Sequence, residues 1–258
     1  MFDWRGNMIA YKTIVVREVR RFMRIWVQTI TPPAMNALLY MVIFGSLIGS
    51  QLREMGGHPY IDFIVPGLIM MAVIVSSYSN VVSSFFSAKF QRHIEEMLVS
   101  PVHNLTLLAG YITGGVCRGL IVGLLVALVS LFFTRLAPVH LIITILVTVA
   151  TAILFSLGGL INAVFARSFD DTSIITNFVL TPLTYLGGIF FSIDFLPEFW
   201  QKVSMLNPVL YMINGFRYGI LGTSDINIGV TFAVIFGLII VLGAIALHLL
   251  NRGIGIKQ

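Results

Sequence analysis

Residues 140 to 165 read HLIITILVTVATAILFSLGGLINAVF, a stretch without a single Lys, Arg, Asp or Glu. Wound as an α-helix rising 1.5 Å per residue, it is long enough to cross roughly 30 Å of hydrocarbon and to tilt while doing so. Five further stretches meet the same requirement, near 29–49, 62–86, 106–133, 173–192 and 228–250. Pro33, Pro66 and Pro182 fall inside three of them, where neighbouring helices can satisfy the freed carbonyls, and they mark expected kinks. The pattern predicts an all-α integral membrane protein with six transmembrane helices. Composition points the same way: of 258 residues, 57% are apolar and 10% charged, too little charge to clothe a water-soluble core of this size.

The surplus of five positive charges is confined to particular segments, which suits a membrane surface and not a nucleic acid. With the amino terminus inside, residues 1–28, 87–105, 166–172 and 251–258 hold most of the Lys and Arg. The opposite side keeps only Arg53, Arg135, Lys202 and Arg217. That asymmetry places both termini in the cytoplasm. An Arg-rich stretch of about six helical turns precedes the first apolar run, unlike a cleavable signal peptide, so the amino terminus is expected to stay. Cys117 is the lone cysteine and no Cys/His cluster has metal spacing, so neither a disulfide framework nor a metal site is expected.

Within 1–28, Arg17, Arg20, Arg21 and Arg24 share an arc of roughly 100° on a helical projection, opposite Met8, Tyr11, Val15, Val19, Phe22 and Trp26. This describes an amphipathic helix at the membrane interface, its arginines toward headgroups or water. Positive-inside anchoring explains the same arginines. The body of the protein is then 29–250, and 251–258 is a short cytoplasmic tail.

Two connections carry more pattern than a turn needs. Residues 87–103, SAKFQRHIEEMLVSPVH, repeat Phe90, Ile94, Met97 and Leu98 on one helical face and are stopped by Pro101, giving a short cytoplasmic amphipathic helix at 88–100. Residues 193–226 hold too many charges to face lipid, and Phe195, Phe199, Trp200, Tyr211, Phe216 and Tyr218 suit the headgroup level. Asn207-Pro208 divides that segment into two short helices expected to dip into the outer leaflet.

Candidate chemistry is sparse. No Gly-Lys dipeptide occurs, so the phosphate cradle of ATP-binding loops is missing. The nearest string to an intramembrane serine nucleophile, Gly222-Thr223-Ser224-Asp225, lies outside the spans. No span has a central carboxylate for ion coupling. Arg118 is the one deep charge, open to two readings: it snorkels to the cytoplasmic face, or it contacts an anionic substrate or hinge partner. Gly110/Gly114, Gly115/Gly119/Gly123 and Gly45/Gly49 have the spacing of close helix approach, within one subunit or across a dimer seam. Ser76, Ser77, Ser79, Asn80, Ser83 and Ser84 make the second span polar, which fits either a path or interhelical hydrogen bonds.

Two strings, QRHIEEMLVSP at Gln91–Pro101 and NPVLYMINGFRYGI at Asn207–Ile220, together with the order of elements, resemble the membrane subunits of type-2 ABC exporters over essentially the whole chain. The resemblance implies that Phe90, Gln91, Arg92, His93, Ile94, Glu95, Glu96, Met97 and Leu98 form a coupling helix between spans two and three that docks on an ATP-binding subunit. Glu95 takes the place of the family's coupling-helix Glu. Arg92-His93 departs from the Gly-Thr that many relatives carry. Asn207, Pro208, Arg217 and Tyr218 match the re-entrant outer pair before span six. A homodimer in a two-plus-two complex is implied, set in the bacterial inner membrane and surrounded by lipid, with ATP and Mg on the partner and no cofactor or catalytic residue in this chain. Asn36, Tyr40, Asn177 and Tyr185 would contribute to the substrate path. Relatives handle drugs, lipid-linked polysaccharides, teichoic acid precursors and lipo-oligosaccharides. The competing expectation from the residues alone is a self-sufficient secondary transporter or channel.

Overall fold

The computed structural model describes residues 4–48, 54–135 and 137–255, and these are helical almost throughout. Helix α1 spans Trp4–Arg24. The first apolar stretch is then broken into α2 (Trp26–Thr29), α3 (Thr31–Tyr40) and π-helical turns at Met41–Ile48. A two-residue hairpin, β1 (Glu54–Met55) and β2 (His58–Pro59), turns on Gly56 and Gly57, both at positive φ, which side chains other than glycine resist. There follow α4 (Tyr60–Phe90), α5 (His93–Val99), α6 (Asn104–Ser130), α7 (Leu141–Phe165), α8 (Phe169–Ile175), α9 (Thr181–Tyr185), α10 (Glu198–Met205), α11 (Pro208–Leu221) and α12 (Ile228–Arg252).

Among the described residues, five segments are long and apolar enough to cross a membrane: Trp26–Gly45, α4, α6, α7 and α12. The stretch expected at 173–192 is shorter than the sequence suggests. Its helical run comprises α8, π-helical turns at Thr176–Leu180 and α9, about 25 Å of rise from 169 to 185. Gly187-Gly188, with Gly188 at φ +77°, then turns the chain back. Ile189 is fully buried, its backbone lying where a side chain on Gly67 of α4 would sit, and the Tyr60 hydroxyl donates to Phe190 O at 3.1 Å. The run starts on a capping box, Ser168 with Asp171.

Helix α4 is the centre of the molecule, packed against both α6 and α7. By contrast, α12 buries only Thr231, Ile235, Ala246, Leu249 and Leu250, leaving most of its apolar surface outward as a lipid-facing helix does. Two buried clusters lie along α4. One, at the Tyr60 end, joins Phe63, Ile64 and Leu68 to α7, α11 and the first span. The other, at the Phe90 end, joins Phe85 and Phe86 to Ile14, Ile94, Leu107, Leu160 and Leu250.

The helices meet where side chains are smallest. A Cβ on Gly115 would fall 2.3 Å from Ser156 Oγ, and one on Gly119 would fall 2.1 Å from Ser77 Oγ. Gly110 and Gly114 face α1 instead, at Ile14 and Glu18. Both glycine series are therefore used for contacts within this chain. Gly45 abuts Ile61, while Gly49 lies outside the described residues. Lipid tails are as apolar as the helices, so close van der Waals contact is the main attraction available.

Adjacent glycines of α7 give a controlled test. A Cβ on Gly159 would lie 2.6 Å from the backbone oxygen of Tyr78, whereas one on Gly158 comes no nearer than 3.8 Å to the Tyr78 ring. We predict that Gly159→Ala destabilises by about 1–3 kcal/mol and lowers the apparent Tm by about 5 °C. Gly158→Ala should leave it unchanged or slightly raised. Thermal unfolding of both variants in the same detergent checks the contrast.

Candidate functional site

The Phe90 end of the bundle collects most of the charge. Helix α1 packs the stripe Asn7, Ile14, Glu18 and Phe22 against α6 and reaches α4 through side-chain hydrogen bonds. This stripe is rotated from the apolar face that periodicity assigns to Met8, Tyr11, Val15, Val19, Phe22 and Trp26: the two share Phe22, Tyr11, Val15 and Val19 are half-buried, and Met8 and Trp26 are exposed. The reason is Glu18, a fully buried carboxylate that sequence reasoning missed. Its Oε1 accepts from Ser84 Oγ at 2.6 Å and from Arg17 at 3.3 Å, and its Oε2 lies 3.4 Å from Arg21 Nε. A lone acid amid four arginines was the signal for it.

The four arginines accordingly divide. Arg17 donates to the Tyr111 hydroxyl at 2.7 Å, and Arg21 donates to Asn80 O and Oδ1, each at 2.9 Å. Burial works against the charge on Arg17, but Tyr111 and Glu18 outweigh it and raise its pKa above the ordinary value. Arg20 and Arg24 remain exposed. At the far end of α1, Asn7 Oδ1 accepts from His103 N and Thr106 Oγ1, both at 2.9 Å. Two polar residues of α4 are thus used between helices, Asn80 with Arg21 and Ser84 with Glu18, whereas Ser77 donates within α4 to the Val73 carbonyl at 2.6 Å and Ser76 Oγ is buried without a partner. A large open groove of about 910 Å³ lies between α1 and this end of α4, lined by Lys12, Arg20, Arg24 and His93 among others.

The amphipathic segment expected at 88–100 resolves into the end of α4, a tight turn and α5. Phe90 is the last residue of α4 and is 65% exposed, ringed by Phe86 and Phe169 at centroid distances of 6.2 and 5.3 Å. Gln91 and Arg92 make the turn, with Arg92 at φ 61°, the only non-glycine residue with positive φ among those described. Ile94 is fully buried among the residues of α4 and α6, Met97 is half-buried, and the side chain of Leu98 lies outside the described set. His93 and Glu96 are exposed and Glu95 half-exposed. Ser100 closes the helix by donating to Met97 O at 2.6 Å. Lys89 reaches sideways, donating to Val164 O at 2.6 Å and Ala166 O at 2.9 Å, where the end of α7 leaves carbonyls unpaired.

The Asn207 and Arg217 motif lies at the other end. Asn207 Oδ1 accepts from Val209 N at 3.0 Å as N-cap of α11, Pro208 occupies the first turn where no N–H is needed, and Asn207 Nδ2 donates to Leu183 O at 2.7 Å. Arg217 is 1% exposed, donates to Gly188 O at 2.7 Å and places its guanidinium 3.7 Å over the Phe63 ring. Tyr218 stacks on His140. These residues therefore fasten α11 to α4, α9 and the Gly188 turn.

Of the four residues considered for a substrate path, three converge. Asn36 and Tyr40 line a cavity of about 260 Å³ beside α4, and the Tyr40 and Tyr185 hydroxyls are hydrogen-bonded to each other. Asn177 is exposed elsewhere on the surface. Arg118 closes the same cavity and donates to the Thr29 carbonyl at 3.1 Å. That carbonyl is free because its helical donor would be Pro33, which has no N–H.

Residues 9–221 match the model of the ABC-2 type transporter family. The chain is a multi-pass membrane protein belonging to that family. The inner membrane transport permease YadH of Escherichia coli (strain K12) is 54% identical over 97% of this chain and 98% of its own length. Nodulation protein J of Rhizobium leguminosarum bv. viciae is 22% identical over 96% and 92% respectively, and that of Rhizobium meliloti (strain 1021) is 22% identical over 88% and 82%.

Two substitutions test this geometry. Glu18→Ala strips Arg17, Arg21 and Ser84 of a shared buried acceptor and should destabilise by about 2–3 kcal/mol, with Glu18→Gln intermediate. Thermal unfolding in nanodiscs reads both. Arg92→Gly relieves a left-handed conformation costing about 1 kcal/mol, whereas Arg92→Val worsens it. The expected order of resistance to proteolysis at 90–93 is Gly above Arg above Val.

Proposed function

We propose that this chain is the permease subunit of an ATP-driven exporter in the bacterial inner membrane, moving a hydrophobic, amphipathic or lipid-linked substrate outward. The family membership implies an ATP-binding partner, and the inner membrane setting is carried over from the name of the Escherichia coli relative. ATP and Mg belong to that partner. Two copies of this chain and two ATP-binding subunits make the working unit, with six spans per copy, the α10–α11 pair re-entrant at the outer face and both termini in the cytoplasm.

The observation that carries this reading is Ile94. Its complete burial seats α5 on the ends of α4 and α6, while Phe90, at 65% exposure, and Val99, at 88%, stay outward beside Glu95 and Glu96. A helix attached on one face and open on the other is suited to receive a partner and pass on its displacement. Closure of the ATP-binding subunits pushes α5, and its connections move α4 and α6. Differential affinity of ATP for the closed state supplies the free energy, since a ligand shifts a conformational equilibrium only by what it gains in one state over the other.

Glu95→Lys alters the outward face without touching the buried seat, whereas Phe90→Asp also gives up the ring contacts to Phe86 and Phe169. Each is expected to cut co-purification of the cognate ATP-binding subunit by about tenfold or more, with the apparent Tm of the permease unchanged in Glu95→Lys. Retention of the partner together with intact ATP-dependent transport would overturn the proposal.

A further inference from the structure

Arg118 sits in an electrostatic environment short of negative charge. Its charged neighbour is Arg21, of the same sign, and Glu18, on the same helix as Arg21, is engaged by Arg17 and Arg21. Among the described residues no carboxylate pairs with Arg118. Of the five N–H donors on a guanidinium, one is spent on the Thr29 carbonyl, and Nε is buried without a partner. Keeping a cation in such a place costs free energy unless an anion completes it.

The cavity that Arg118 closes has the remaining attributes of a binding site. Leu68, Met71 and Val75 of α4 form an apolar wall, and Gln28, Asn36 and Tyr40 of the first span face it from the other side. Gln28 to Tyr40 covers about 18 Å of helix rise, the length of an alkyl chain with its headgroup. A charge at one end of an apolar slot is the pattern that orients an amphiphile. The groove along α1 is broader and more open, and its cations Lys12, Arg20 and Arg24 share it with the carboxylate of Glu18.

We propose that this cavity binds a membrane-dissolved amphiphile with one anionic headgroup, whose oxygens take the free donors of Arg118 while its chain lies along Leu68, Met71 and Val75. The proposal deepens the exporter reading by naming the class of substrate. It rests on that reading for its biological meaning, but its test uses the permease without an ATP-binding subunit, so either idea can fail while the other stands.

The probes are dodecyl phosphate, dodecylphosphocholine and inorganic phosphate, titrated calorimetrically into the full chain in nanodiscs of zwitterionic lipid, with empty nanodiscs subtracted. The chain should bind dodecyl phosphate about tenfold more tightly than dodecylphosphocholine, and inorganic phosphate should not compete. Arg118→Gln should abolish the preference while binding dodecylphosphocholine as before, and Arg118→Lys should keep most of it. Val75→Trp, which fills the apolar wall and leaves the charge, should weaken both detergents. Arg20→Gln with Arg24→Gln should change nothing. A preference that is absent, or that survives Arg118→Gln, or that is lost equally in Arg118→Lys, would overturn the proposal. So would competition by inorganic phosphate, an unaltered Val75→Trp, or loss of the preference on removing Arg20 and Arg24.

Discussion

Everything in this molecule is hung on one helix, and that helix can occupy the centre only because its neighbours come unusually close. Gly115 and Gly119 of α6 and Gly159 of α7 admit Ser156, Ser77 and the Tyr78 backbone to distances that a Cβ would forbid. In hydrocarbon no water is gained by burying a leucine against a leucine, so contact at short range and satisfied polar groups hold the bundle together. The serines of α4 follow from the same constraint. Of the hydroxyls at these approaches, Ser84 reaches across to Glu18, while Ser77 bonds back to the Val73 carbonyl of its own helix.

Periodicity and length made the long spans legible. The stretch at 140–165 needed no tertiary information, and α7 occupies Leu141–Phe165. The short elements were harder, because a few residues decide them. The Gly187-Gly188 turn ends a stretch whose hydropathy continues to Phe191, since hydropathy has no term for backbone handedness. The same blindness applies at Arg92. Arginine gives no local hint of the left-handed conformation found there, which glycine would signal.

Glu18 shows a different limit. A helical wheel sorts residues by polarity and so sends all four arginines to one side, but a single buried acid draws two of them, Arg17 and Arg21, toward the packed face. Pairing across elements, to Ser84 of α4 and Tyr111 of α6, is information that no single helix contains. The Asn207 and Arg217 motif was visible as a string, while its work in the fold, capping α11 and fastening the Gly188 turn, emerges only when α4 and α9 are beside it.

Lys89 ties the short 90–93 turn to more of the protein than its covalent neighbours. By holding the carbonyls of Val164 and Ala166, and with Phe86 and Phe90 gripping Phe169, the end of α4 is cross-braced to the joint between α7 and α8. Under the proposed coupling, motion entering at α5 would therefore be shared laterally with a third and a fourth helix. The stretch leading to Tyr185 would then feel the same stroke as α4, gearing the two sides of the molecule together.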